Sequence, residues 1–121
     1  MFAVPVKLGH DACIRADDAL VRAFGVLGKR WNAVVLGTLA SGERAGFREL
    51  SRTIGGISDS VLSDRLSELT RIGLVVRTVD AGPPVAVSYA LSARGQALMP
   101  AFDQIAAWAR EHLASDSEVT R

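Results

Sequence analysis

Residues 47–73 read FRELSRTIGGISDSVLSDRLSELTRIG, and this stretch decides the fold. Leu50 and Ile54 stand one helical turn apart, which predicts a short helix starting near Arg48. Gly55-Gly56 then permits the positive φ of a sharp turn without a Cβ clash. Ser58 is placed to cap a further helix, its hydroxyl aimed at the free N–H groups of the first turn. Leu62, Leu66 and Leu69 give that helix a buried stripe, and Gly73 supplies a left-handed stop. LVVRTV (74–79) follows at once, and Gly82-Pro83-Pro84 turns the chain back into a second β-branched run, 85–91. Helix, turn, helix and hairpin in that order describe a winged helix-turn-helix and carry the expectation of DNA binding.

The flanks extend the helical count. Ala19, Leu20, Ala23, Phe24 and Leu27 recur at three- and four-residue spacing behind Asp17 or Asp18 as cap, and Gly28 ends that helix. Trp31, Val34, Val35 and Leu39 predict a second helix, closed near Ser41-Gly42, with the Trp31 indole in the core where its N–H finds a partner. The Gly-flanked residues between Ser41 and Phe47 leave room for a short edge strand. Ser92 caps a last helix bearing Ala97, Leu98, Phe102, Ile105, Ala106, Trp108, Ala109 and Leu113. That apolar face is wide for one small domain, so part of it is expected to meet another subunit. The fold class is therefore mainly α with a small β-hairpin wing, an α+β arrangement. Residues 1–16 read as a flexible arm, 17–114 as the domain with its terminal dimerisation helices, and 115–121 as a polar tail.

Composition excludes several functions. The chain has 121 residues, 49% hydrophobic and 22% charged, enough for one compact core. No apolar run reaches the ~18 residues of a membrane span, and the N-terminus lacks a basic segment leading into a long apolar core. A cytoplasmic protein without a membrane partner is the expectation. One cysteine, Cys13, and two histidines leave no disulfide framework, no metal set and no nucleophile–base pair, so neither cofactor nor enzyme activity is expected. With 14 basic and 13 acidic residues the net charge is +1, so the placement of charge matters more than its sum.

The fragments GKRW (28–31), GFREL (46–50), GISDSVLSDRLSEL (56–69), GLVVRTV (73–79), Pro83-Pro84, VSYALSARG (87–95) and Trp108 occur in order and spacing. Together they resemble the HxlR family of bacterial winged-helix transcriptional regulators, relatives of the MarR group, over roughly residues 18–110. The resemblance implies a homodimer built from the terminal helices, binding a short inverted repeat near its own or a neighbouring promoter. Three departures stand out. Many members carry a Cys-Pro pair whose position falls on Asp18 here, with Cys13 five residues upstream and no proline after it. A basic residue often follows Pro-Pro in the wing, where this chain has Val85. A small capping residue usually opens the third helix, where Arg48 stands.

At about 100° per residue, Leu62, Leu66 and Leu69 facing inward turn Ser60, Ser63, Asp64, Ser67 and Arg71 outward. Base reading comes from the N-terminal half of this helix, so Ser58, Asp59, Ser60, Ser63 and Asp64 are the candidate readers. Serine hydroxyls tolerate several bases, and an aspartate can accept from cytosine N4. Asp59 also suits the positive end of the helix dipole. Arg65, on the flank of the buried stripe, either reaches phosphate or pairs with a carboxylate such as Glu49. Arg48 and Arg77 are phosphate candidates; Lys29 and Arg30 either touch the backbone or form a solvated helix start.

Three alternatives remain at this point. The acids Asp59, Asp64 and Glu68, with a wing tip free of Lys and Arg, allow a protein-interaction module. A small-molecule effector between helices gives a ligand-responsive regulator. Cys13, if His10 or Arg15 lowers its pKa, gives a redox-responsive one.

Overall fold

The computed structural model describes residues 18–115, which fall into two compact units dividing between Ala33 and Val34. The expected arm at 1–16, with Cys13, lies outside the described residues, as do residues 116–121 of the expected tail.

In the first unit, helix α1 covers residues 18–27. Asp18 and Arg22 form an ion pair one turn apart on its exposed side. Leu20, Val21 and Phe24 are all exposed, Phe24 to 53%, so the apolar positions of α1 are left open in the single chain. Gly28 follows the last residue of α1, at a place where nothing larger fits. Its N–H donates to the Phe24 carbonyl at 2.8 Å, and a Cβ there would stand 2.6 Å from that oxygen.

Trp31 departs from expectation. It has a left-handed backbone, φ 79°, and is only half-buried, with the Arg30 guanidinium 5.2 Å from its ring centroid. The tight turn after Gly28 keeps the ring out of the core and engages Arg30 within the chain as a cation–π partner. Asn32 takes the buried place instead. It is fully buried, and its Nδ2 donates to the Val26 carbonyl at 2.7 Å. That bond satisfies one of the carbonyls that the end of α1 leaves open.

Helix α2 is Asn32–Thr38, and from Val34 onward it belongs to the second unit. Val35, Leu36 and Leu39 are buried there, whereas Val34, expected on the same face, is exposed. Strand β1 is Ala45–Gly46, the edge strand the sequence left room for, and helix α3 is Phe47–Ile54. Leu50 is buried, while Ile54 is only half-buried because the helix ends there and Ile57 fills the core beyond it. Gly55 and Gly56 have φ 70° and 73°. Helix α4 follows at Asp59–Arg71, then strands β2, Val75–Asp80, and β3, Ala86–Leu91, and helix α5, Ala93–His112.

The sheet is antiparallel in the order β1-β3-β2, with Arg77 opposite Tyr89 and Val75 opposite Leu91. The core lies where α2, α3, α4 and this sheet meet, built from Val35, Leu36, Leu39, Leu50, Leu62, Leu66, Leu69, Val75 and Leu91. Each buried leucine contributes roughly 1.5–3 kcal/mol of transfer free energy, so the three on α4 fix its rotation firmly.

Ser92 starts α5 and ties it to α4. Its hydroxyl accepts from the Gly95 N–H at 3.1 Å and donates to the Gly73 carbonyl at 2.6 Å. Gly95 must be glycine, since a Cβ would stand 2.3 Å from the Leu74 carbonyl oxygen. Beyond that first turn α5 buries nothing fully in the single chain, and Ile105, Trp108 and Leu113 are exposed. No described helix is long and apolar enough to cross a membrane. Among the described residues no group of three or more His, Cys, Asp or Glu is placed to hold a metal.

Candidate nucleic-acid interface

Ser58 sets the start of α4. Its backbone is extended, φ −75° and ψ 156°, and its Oγ accepts from the Val61 N–H at 3.2 Å. The Leu62 N–H donates to its carbonyl at 2.9 Å. This hydroxyl is engaged in capping, with Ser60 Oγ 3.5 Å away. Asp59 occupies the first turn, where a carboxylate favours the helix dipole.

Full burial of Leu62, Leu66 and Leu69 turns the opposite side of α4 to solvent. Ser60, Ser63, Asp64, Ser67 and Arg71 are all exposed along it. The side chains in the N-terminal half are short, so the helix can approach a surface closely.

Arg65 pairs with Glu68 of its own helix, Nη1 to Oε1 3.0 Å, and the two side chains are only 16% and 17% exposed. Of the two readings of Arg65, a phosphate contact or a carboxylate such as Glu49 on α3, the second is corrected in its partner: the carboxylate is Glu68. A pair three residues apart on one helix needs no approach of a second element. It also draws Glu68 out of the acidic surface on which the interaction-module reading relied.

Arg48 is exposed on α3 and lines a concavity with Phe47, Ser51, Arg52 and Asp59. Arg52, one turn after Arg48, brings a second cation to the same place, and the i, i+4 spacing was the signal that could have found it. Arg77 is exposed on β2. With Leu66, Ser67, Thr70, Arg71 and Tyr89 it lines a second concavity, of about 260 Å³, between α4 and the sheet. The wing tip between β2 and β3 is exposed throughout, and Asp80 Oδ1 accepts from the Gly82 N–H at 3.2 Å, with Gly82 at φ 74°. Both the Gly82–Pro83 and Pro83–Pro84 bonds are cis.

A serine-capped helix with one face in the core and the other open to solvent, followed by a two-stranded wing, defines a winged helix-turn-helix protein. The family model for the HxlR-like helix-turn-helix matches residues 26–117, and the chain belongs to that family. The transcriptional regulator YodB of Bacillus subtilis is 37% identical over 102 residues, covering 84% of this chain and 87% of YodB. The structure of reduced YodB superposes with a TM-score of 0.71 at 38% identity, covering 76% of this chain and 89% of that one. The quinone-bound form of YodB gives 0.68 at 35% identity, covering 78% and 98%. The protein is a transcriptional regulator of the helix-turn-helix type.

Proposed function

We propose that the protein binds double-stranded DNA as a homodimer, with α4 of each protomer in the major groove of one half of an inverted repeat. The observation that carries this reading is the exposed stripe of small polar side chains on α4, backed by three fully buried leucines. Ser60, Ser63 and Asp64 read base edges. Ser58 and Asp59 hold the helix start, and Arg65 positions the helix through Glu68. Arg48 from α3 and Arg77 from the wing bind phosphate, which sets the register without selecting sequence.

The dimer is supported by apolar side chains that each unit leaves open. They are Leu20 and Phe24 on α1, and Ile105, Trp108 and Leu113 on α5. Large apolar side chains left exposed together on one helix mark interaction sites. A two-fold axis sets the two copies of α4 roughly 34 Å apart, one turn of duplex. Selection from a random duplex library tests the whole reading: an inverted repeat with half-sites one turn apart is the expected product, and no enrichment over random sequence overturns it.

A second reading, a thiol-dependent response, is favoured by YodB itself, whose structure is known in diamide-treated and quinone-bound forms. In this chain it rests on Cys13, the single cysteine. Diamide that lowers duplex affinity of the native chain and leaves a Cys13→Ser variant unaffected establishes it; equal affinity before and after treatment removes it.

A further inference from the structure

The concavity between α4 and the sheet holds two arginines and no acid among its lining residues. Arg71 enters it from the last turn of α4 and Arg77 from β2, with Ser67 beside them and Tyr89 across the β2–β3 register. We propose that this concavity seats a backbone phosphate of duplex DNA, held by the Arg71 and Arg77 guanidinium groups and by the Ser67 and Tyr89 hydroxyls. The proposal rests on the placement of α4 in the major groove and adds the point at which the helix leaves it.

Geometry links the seat to the reading stripe. Ser67 and Arg71 continue the exposed line that begins at Ser60. At 1.5 Å per residue, Arg71 lies about 16 Å along the axis from Ser60. The major groove is roughly 12 Å wide, so a helix whose first turns meet base edges carries its last turn to the sugar–phosphate wall. Guanidinium groups match phosphate oxygens with paired N–H donors, and two on one concavity offset the charge of a phosphodiester.

The ordinary role of an arginine here, offsetting the negative end of the helix, is already filled. Arg94 Nη1 donates to the Ile72 carbonyl at 3.5 Å. The Glu68, Leu69 and Thr70 carbonyls accept from the N–H groups of Ile72, Leu74 and Gly73 at 3.0, 2.9 and 3.1 Å. Thr70 Oγ1 donates to the Leu66 carbonyl at 2.7 Å, so the seat's hydroxyl donors are Ser67 and Tyr89.

Tyr89 is the only tyrosine in the chain, so fluorotyrosine incorporation places a single fluorine resonance in the seat. A random-sequence duplex is expected to shift that resonance in the native protein and not in an Arg71→Gln, Arg77→Gln double variant. That double variant is expected to flatten the log–log salt dependence of binding by about 0.9 per protomer, the share of one phosphate. If glutamine unfolds the chain, Arg71→Lys and Arg77→Lys keep the charge and lose the fork, and weaker duplex binding at an unchanged slope is expected. A slope and an affinity equal to native in the double variant overturn the seat. A shift by inorganic phosphate as large as that by duplex, at equal phosphate concentration, also overturns it, since the seat then takes a free anion. If the native chain binds no duplex at all, the major-groove reading fails first, which is a distinct result.

Discussion

Arg65 and Glu68 of α4 meet at 3.0 Å with both side chains more than four-fifths buried, so the one arginine in the middle of this helix is turned inward. The recognition helix thereby presents serine, aspartate and a terminal arginine to its surroundings. In the proposed complex its grip on phosphate falls to residues at its two ends, Arg48 on α3 and Arg71 with Arg77 beside the wing.

Arg65→Ala is therefore expected to act on stability. Removing a charged hydrogen-bond partner from a largely buried pair costs about 1–3 kcal/mol. Urea denaturation should show that loss, while the salt slope of DNA binding stays at the native value. A flattened slope at native stability means that Arg65 touches phosphate instead.

Ser58→Ala removes the side-chain acceptor for the Val61 N–H and is expected to cost about 1 kcal/mol. Ser58→Asp, which keeps an acceptor at the same place, should recover most of it. Thermal melts of the three proteins make the comparison. Equal melting of Ser58→Ala and native protein would show that the cap contributes nothing.

Gly95→Ala is expected to destabilise by about 1–3 kcal/mol, because its Cβ would meet the Leu74 carbonyl at 2.3 Å and Leu91 Cδ2 at 3.1 Å. The backbone joining α4 to β2 must yield, so DNA affinity should fall together with the denaturation midpoint. A midpoint equal to native contradicts the close approach of α5 to Leu74.

Trp108→Glu places a charge on the open apolar face of α5 and is expected to shift the protein from dimer to monomer in sedimentation experiments, weakening operator binding with it. A variant that stays dimeric moves the interface elsewhere.

Much of this architecture is legible in the sequence because its signals are local. Ser58, three leucines at helical spacing and Gly73 bound α4, and two β-branched runs around Gly82-Pro83-Pro84 mark the wing. The misses have physical reasons. Trp31 looks like a helix-core residue, yet the turn after Gly28 gives it a left-handed backbone that no side-chain pattern announces. Asn32 carries no sequence signal of burial, because the Val26 carbonyl that its Nδ2 meets lies six residues back, across the turn. The Arg65–Glu68 pair was within reach, since three-residue spacing on a helix was enough to suggest it. The grouping of Arg71, Arg77 and Tyr89 around one concavity was not, because only the β2–β3 register and the packing of α4 on β2 bring the three together.

In the proposed complex the exposed stripe of α4 lies against base edges in the major groove. Attaching a photo-crosslinker to a Ser60→Cys variant in a Cys13→Ser background, bound to its selected duplex, tests this most directly. Crosslinks to bases at two places about one helical turn apart are the expected result. Retained duplex binding with crosslinks only to the sugar–phosphate backbone, or with none, contradicts it.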